Sequence, residues 1–380
     1  MKSNDLVSSG SIMVLSAASG AGHIRAALAL VKAFALKGIS AEHIEVLRYT
    51  NIFFRQVYSD LYIDFVNKRP DLVGWMYNSL DRPWKMQKRR LALDRLNTGK
   101  LIKLLDYKKP EIVICTHFLP AEILIYLRKK RSLDIKIGVV VTDFDAHAMW
   151  LYKNVDWYFV ACEETREYLS ELGIPRNTIH VTGIPIDPVF AVKKSKDEIR
   201  KKLGLLPDRN TLLISAGGFG VGPIESLAES VNKVTYPIQM IIVCGKNNIL
   251  KQRLENINNF KHPVKIIGFT NEMDELMAAS NILIGKSGGL TSSEALARDL
   301  IMVIVNPIPG QEQRNSDHFL EEGVAIRCNN LPTLAYKIDK LLNDKNQLEK
   351  MKQSIKTIAK PDSASEIVSI VLQKEKNNEK

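Results

Sequence analysis

Short unbroken apolar runs alternate with helical stretches along most of the chain. Strands are predicted at 11–16, 44–47, 112–115, 136–141, 157–160 and 180–182, and a second series at 211–215, 239–244, 265–267, 281–284 and 301–305. Continuous apolar runs of this length suit strands buried on both faces, and their alternation with helices predicts two consecutive parallel sheets with crossover helices. A polar segment, AVKKSKDEIRKKLGLLPDRN, lies between the two series. The expected division is an N-terminal domain over 1–190, a C-terminal domain over 191–360, and a tail at 361–380 that returns to the first domain. The fold class is α/β, with two doubly wound, Rossmann-like domains and a cleft between them. Ligands of such sheets bind beyond the carboxyl ends of the strands, so the turns that follow the strands carry the chemistry.

Composition narrows this little, since 45% hydrophobic and 25% charged residues are ordinary for a folded soluble protein. Charge is more informative: 53 Lys and Arg against 42 Asp and Glu leave +11, which argues for an anionic partner. The four cysteines (Cys115, Cys162, Cys244, Cys328) are far apart and show no metal-ligand spacing, which points to a reducing compartment. The N-terminus shows no signal-peptide pattern, and the longest apolar runs, such as IKIGVVV, are far short of the ~18–20 residues that span a membrane.

Three glycine-rich turns follow predicted strands. The first, Ser19-Gly20-Ala21-Gly22-His23, opens a helix that Gly38 can end in a left-handed cap. Gly20 and Gly22 let backbone approach a ligand, and His23, at a helix start beside a ligand site, is placed as a general base. Its alternative is a packing or capping histidine. A dinucleotide fingerprint would need glycine where Arg25 stands, although Glu45 could imitate its acidic ribose ligand. The second turn, from Gly217 and Gly218 to Gly222, precedes Pro223, which suits a first helical position; its glycines point to a phosphate. The third, Lys286-Ser287-Gly288-Gly289-Leu290-Thr291-Ser292-Ser293-Glu294, contains a capping-box spacing, Thr291-x-x-Glu294. Glu294 therefore has two open readings, as a helix cap and as an acceptor of sugar hydroxyls.

Together these segments resemble glycosyltransferase family 28, in particular the monogalactosyldiacylglycerol synthases and processive diacylglycerol glycosyltransferases. The resemblance runs from about residue 12 to 326. It is carried by SGAGHIRAA, THFLPAEIL, VTDFDAHAMW and VTGIPIDPVF, then by SAGGFGVGP, IIGFTNEMDELMAASNILIGKSGGLTSSEALA and NPIPGQEQRNSDHF. It implies the GT-B fold and a UDP-sugar donor, with no other cofactor. It also implies that Glu294 binds the ribose, and that Phe269 and Thr270 meet the uracil. Gly217 and Gly218 would approach the diphosphate, with Ser287, Gly288, Gly289 and Thr291 in the third turn of the same donor site. Gln311, Glu312 and Gln313 would meet the donor sugar, and His23 would be the base or a group that positions the acceptor. Asp143 is a second candidate for the base; with His147 it would orient His23 or the acceptor, or the two form a strand-end capping pair. Asp143-Phe144-Asp145 also spells a metal motif of a different glycosyltransferase fold, which the two-domain glycine pattern disfavours, so no catalytic metal is expected.

The segment between the second and third predicted strands has another character. Phe53, Phe54, Tyr58, Tyr62, Phe65, Trp75, Tyr77 and Trp84 precede or begin a stretch from Trp84 to Pro110 that holds nine Lys and Arg, among them Lys88, Arg89 and Arg90, against two Asp. Aromatics beside a basic cluster suit a peripheral contact with an anionic membrane surface. No nucleic-acid signature is present, and no nucleic-acid partner is expected. The resulting expectation is an inverting, metal-independent hexosyltransferase acting on a lipid hydroxyl, diacylglycerol or a glycosyl-diacylglycerol, at the cytoplasmic face of the membrane. Transfer of N-acetylglucosamine to a polyprenyl or saccharolipid acceptor is the alternative within this chemistry; UDP-N-acetylglucosamine 2-epimerisation is the alternative outside it.

Overall fold

The computed structural model describes residues 12–18, 20–50, 70–84, 99–131, 134–215, 223–257 and 259–378. The chain divides into two compact units: Met1–Pro188 with Pro309–Gln311 and Asp362–Lys380, and Val189–Ile308 with Glu312–Pro361.

The first unit is built on one parallel sheet of β1 (Ile12–Ser16), β2 (Ala41–Glu45), β3 (Ile112–Cys115), β4 (Lys136–Val140), β5 (Trp157–Val160) and β6 (Ile179–Val181), in the order β2-β1-β3-β4-β5-β6. Its described helices are α1 (Ala21–Leu36), α2 (Pro70–Leu80), α3 (Gly99–Lys108), α4 (Phe118–Arg131) and α5 (Glu163–Glu171). The side-chain alternation of the strands feeds two cores. Met13, Leu15, Val113 and Ile137 pack with Leu124 and Leu127 of α4. Ile12, Val14 and Ile112 pack with Ala27, Leu30 and Phe34 of α1. The alanines of α1 let the helix lie close to the strands, and Gly38, at φ 74, closes it. The C-terminal helix, Ser363–Asn378, places Ile367, Val368 and Val371 in the same core as α1.

The second unit comprises α6 (Lys196–Leu203), β7 (Asn210–Ser215), α7 (Ile224–Asn232), β8 (Ile238–Val243), α8 (Asn248–Glu255), β9 (Val264–Ile267), α9 (Met273–Ala279), β10 (Ile282–Gly285), α10 (Gly289–Ala297), β11 (Ile301–Val305), α11 (Gln311–Glu321), β12 (Ala325–Cys328), α12 (Leu334–Asn343) and α13 (Lys345–Ile358). Its sheet is also parallel, in the order β9-β8-β7-β10-β11-β12. At its start, Arg298 donates to the carbonyls of Val189 and Val192 at 2.8 and 2.7 Å, with its guanidinium over the Phe190 ring.

Both sheets reverse strand order once: between β1 and β3 in the first unit, and between β7 and β10 in the second. Loops that leave neighbouring strands in opposite directions open a crevice at such points. The first glycine turn follows β1 and the third follows β10, so both occupy switch points; the second turn lies outside the described residues.

Three predicted details change. The second strand runs over Ala41–Glu45 and not 44–47, because Val46–Tyr49 forms a 3-10 turn. The strand Ala325–Cys328 lies outside the predicted series. Pro223 caps α7, which begins one residue later.

Candidate active site

In the first unit the site grows from the ends of β1, β3 and β4. Gly20 adopts φ 148 and ψ 160, a conformation essentially reserved for glycine, and lets the chain turn directly from β1 into α1. Its lack of a side chain leaves the helix without a side-chain cap, and the first turn holds no acidic residue. Gly22 lies in that first turn, followed by His23.

His23 is clamped by Thr116, the residue after β3. Its Nδ1–H donates to the Thr116 carbonyl at 2.8 Å, while the Thr116 hydroxyl donates to the His23 carbonyl at 2.9 Å. Thr142, beyond the end of β4, places Oγ1 3.0 Å from the same Nδ1. A carbonyl only accepts, so Nδ1 carries the proton and the neutral ring keeps its lone pair on Nε2. Nε2 has no hydrogen-bond partner among the described residues. The ring meets His117 edge-on, at 4.6 Å between centroids, with Trp150 at 6.3 Å. Burial among these rings pushes the imidazole down to about 4, against the opposing pull of the Thr116 carbonyl. The ring is therefore neutral near pH 7, in the tautomer a base requires.

Asp143 and His147 stand in the same β4 loop but do not hydrogen-bond to His23. Asp143 is buried and accepts from Gln311 Nε2 at 2.7 Å, within the first unit. His147 is buried and opens the 3-10 turn Ala148–Trp150. Its Nδ1 accepts from the Met149 N–H at 3.1 Å and its Nε2–H donates to the Tyr77 carbonyl at 2.9 Å. Both ring nitrogens are thus taken by backbone, and the residue ties α2 to this loop. Glu45 accepts from Ala18 N–H at 3.1 Å and Leu47 N–H at 3.0 Å, holding the turn that leads from β1 into α1. Its carboxylate is thus committed to the protein's own backbone, which removes the dinucleotide-type ribose ligand.

In the second unit, α10 starts at Gly289 with Gly288 as its cap, without a side-chain cap bond and without an acidic residue in its first turn. Thr291 is therefore the third helical residue and Glu294 the sixth. The capping-box reading fails because the helix begins two residues before the threonine. The resulting N-terminus offers its N–H groups to an anion at the switch point. Glu294 is 1% exposed. Ser287 Oγ donates to the Glu312 carbonyl at 2.6 Å, and Asn315 Nδ2 donates to the Ser287 carbonyl at 3.1 Å, joining the third glycine turn to α11. Glu312 Oε2 accepts from Ile308 N–H at 2.8 Å, and Gln313, which is exposed, donates its N–H to the Ile308 carbonyl at 3.1 Å. Phe269, beyond β9, is 59% exposed, with Lys246 Nζ 5.6 Å from its ring. Thr270 Oγ1 accepts from Glu272 N–H at 3.0 Å. Ser287, Gly288, Gly289, Thr291, Glu294 and Glu312 are thus gathered beyond the carboxyl end of β10. Gly217 and Gly218 lie outside the described residues.

Of the expected membrane residues, Trp75 on α2 is 67% exposed. Trp84 is half-buried, packs on the core of the first unit and has Lys153 Nζ 5.1 Å from its ring. Lys88, Arg89 and Arg90 lie outside the described residues. No described helix is long and apolar enough to cross a membrane.

The roles of Thr116, Thr142 and Asn315 escaped the sequence reading. Position was the available signal: both threonines follow closely on strand ends, where cleft residues are expected.

Residues 23–186 match the family model of monogalactosyldiacylglycerol (MGDG) synthase, and residues 211–367 match the glycosyltransferase family 28 C-terminal domain. The chain is 32% identical over 372 residues to a processive diacylglycerol beta-glucosyltransferase of Bacillus cereus strain G9842, covering 97% of this chain and 94% of the relative. A protein of the same name from Bacillus thuringiensis strain Al Hakam is 31% identical over 373 residues, covering 97% and 95%. Among solved structures, MurG of Acinetobacter baumannii aligns with a TM-score of 0.61 at 14% identity, over 95% of this chain and 99% of its own. The MnaA–UDP structure of S. aureus aligns at 0.59 and 15%, over 96% of each chain. These two are likenesses of fold.

Proposed function

We propose that this chain, which belongs to the glycosyltransferase family uniting monogalactosyldiacylglycerol synthases with the processive diacylglycerol glucosyltransferases, moves a hexose from a UDP-sugar to the hydroxyl of diacylglycerol or a glycosyl-diacylglycerol. Its two doubly wound units form the GT-B fold. The reading is carried by the 32% identity over nearly the whole chain with relatives named for that transfer.

Two groups of residues share the proposed chemistry. In the first, the acceptor hydroxyl gives its proton to His23 Nε2 as its oxygen attacks the anomeric carbon. The bond from that carbon to the diphosphate oxygen breaks, and the configuration inverts. Glu45, Thr116 and Thr142 are positioning residues, which hold the loop and the tautomer. In the second unit, Glu294 holds the ribose hydroxyls and Phe269 and Thr270 meet the uracil. The diphosphate lies against Gly217, Gly218, Ser287, Gly288, Gly289 and Thr291. Glu312 and Gln313 meet the sugar, as does Gln311, which belongs to the first unit. The uncapped N-terminus of α10 supports a leaving diphosphate stabilised by fixed N–H groups, without a metal. Asp143, bonded to the Gln311 amide, orders that side chain. The protein acts as a peripheral enzyme on an anionic, cytoplasmic leaflet, with Trp75 and the basic stretch that includes Trp84, Lys88, Arg89 and Arg90 at the surface.

The reading is checked by UDP release from UDP-glucose, UDP-galactose and UDP-N-acetylglucosamine, each with anionic vesicles with or without diacylglycerol, in the presence of a chelator. Release with one hexose donor that requires diacylglycerol and persists with chelator is the expected result. Release lost to chelator would remove metal independence, and release independent of lipid would remove the acceptor.

A further inference from the structure

Helix α2 has two faces with different surroundings. Leu72, Trp75 and Met76, at i, i+3 and i+4, share one face and are 43, 67 and 42% exposed. Gly74 and Tyr77 lie on the opposite side, against the turn Pro309–Gly310. A Cβ on Gly74 would stand 2.6 Å from Pro309 Cβ. Gly310 holds φ +91, and a Cβ there would lie 2.7 Å from the Tyr77 ring. Each of the two glycines is therefore required for the helix and the turn to nest. The helix is also anchored at its end, where the Tyr77 carbonyl accepts from His147 and Asp81 Oδ1 accepts from Ala148 N–H at 2.8 Å. The residue after Gly310 is Gln311, whose amide rests on Asp143 in the loop that carries His147. All of these residues belong to one compact unit.

We propose that α2 couples the membrane to the donor sugar. Its Leu72–Trp75–Met76 face docks on an anionic bilayer, and docking fixes the helix so that its Gly74–Tyr77 face holds the Pro309–Gln311 turn in place. This deepens the reading of Gln311 as a donor-sugar contact and rests on it. An anionic bilayer is the occupant favoured by charge: α2 is followed in the chain by the stretch from Trp84 to Pro110, with nine Lys and Arg against two Asp. A tryptophan flanked by leucine and methionine suits the boundary between headgroups and acyl chains. Gly74 and Tyr77 are positioning residues, acting on the sugar only through the turn.

Coupling of this kind is reciprocal, so a bilayer without acceptor must tighten the donor. The experiment measures the affinity of the full-length protein for UDP-glucose, UDP-galactose and UDP, with and without phosphatidylglycerol-rich vesicles free of diacylglycerol, beside vesicle co-sedimentation. For the wild type, affinity for the donor it uses is expected to rise about fivefold or more on vesicles, with UDP itself unchanged. Trp75→Ala should lose both vesicle binding and the gain. Gly74→Ala should keep vesicle binding and lose the gain, and Tyr77→Ala, which relaxes the nest without a clash, should do the same if Gly74→Ala fails to fold. No vesicle-dependent gain in the wild type would overturn the coupling, as would a gain surviving in folded Gly74→Ala or Tyr77→Ala. Wild-type vesicle binding by Trp75→Ala would overturn the docking face and leave it for a protein partner. If the wild type transfers sugar to diacylglycerol yet shows no gain, only the coupling fails; if it transfers none, the underlying reading fails first.

Discussion

His23→Ala is expected to lower kcat for sugar transfer by about a thousandfold, the middle of the range for a lost general base, while UDP binding stays as in the wild type. Geometry sets this outcome before electrostatics does. Thr116 takes the Nδ1 proton at 2.8 Å, so the lone pair is fixed on Nε2. Burial holds the imidazole down at about 4, so the neutral form is complete at pH 7. The sign of the pH dependence follows. A base is lost when it protonates, so the acid limb of kcat/KM that belongs to His23 should fall near pH 4 and not near the ordinary 6.5. Steady-state rates from pH 4 to 8 for the wild type and His23→Ala, with UDP affinity by calorimetry, check both points. A folded His23→Ala protein at full rate would remove His23 from the chemistry.

The second large effect is expected at Glu294. A buried carboxylate that accepts both ribose hydroxyls makes two charge-assisted bonds, each worth about 1.5–3 kcal/mol. Losing them in Glu294→Ala should raise the donor Michaelis constant by more than about a hundredfold, with kcat changed far less. Glu294→Gln keeps the side-chain volume at this 1% exposed position and isolates the charge; it should shift the constant in the same direction. Wild-type donor kinetics in both variants would leave Glu294 a packing residue of α10.

Much of this molecule is legible in its sequence, for an identifiable reason. β3, β5 and β11 are buried along their whole length, so their apolar runs are unbroken and stand out. The edge strands are harder. β2 reads AEHIE and buries one residue in five, and β12 reads AIRC with two half-buried positions. The first glycine turn announced its switch point because only glycine tolerates the backbone at Gly20; Gly288 starts α10 from extended backbone open to any residue. The partners of His23 were not legible. Thr116 lies 93 residues away and Thr142 lies 119, and neither belongs to a motif that marks it as a histidine partner. A different ambiguity arises at Thr291 and Glu294, whose spacing imitates a cap. Helix start is decided by backbone geometry at Gly288, which the spacing does not encode. The Gln311–Asp143 bond joins residues 168 apart and depends on how the Pro309–Gly310 turn packs, which no local pattern carries.

The configuration of the product decides between inverting transfer to lipid and the other reactions. Diacylglycerol in anionic vesicles would be incubated with each UDP-hexose, and the lipid product examined by proton NMR at its anomeric position. The account predicts a glycosyl-diacylglycerol with a β linkage, formed in step with UDP release and lost in His23→Ala. An α-linked product would contradict inversion by a single base, and a UDP-sugar epimerised at C2, with the lipid untouched, would contradict the transfer itself.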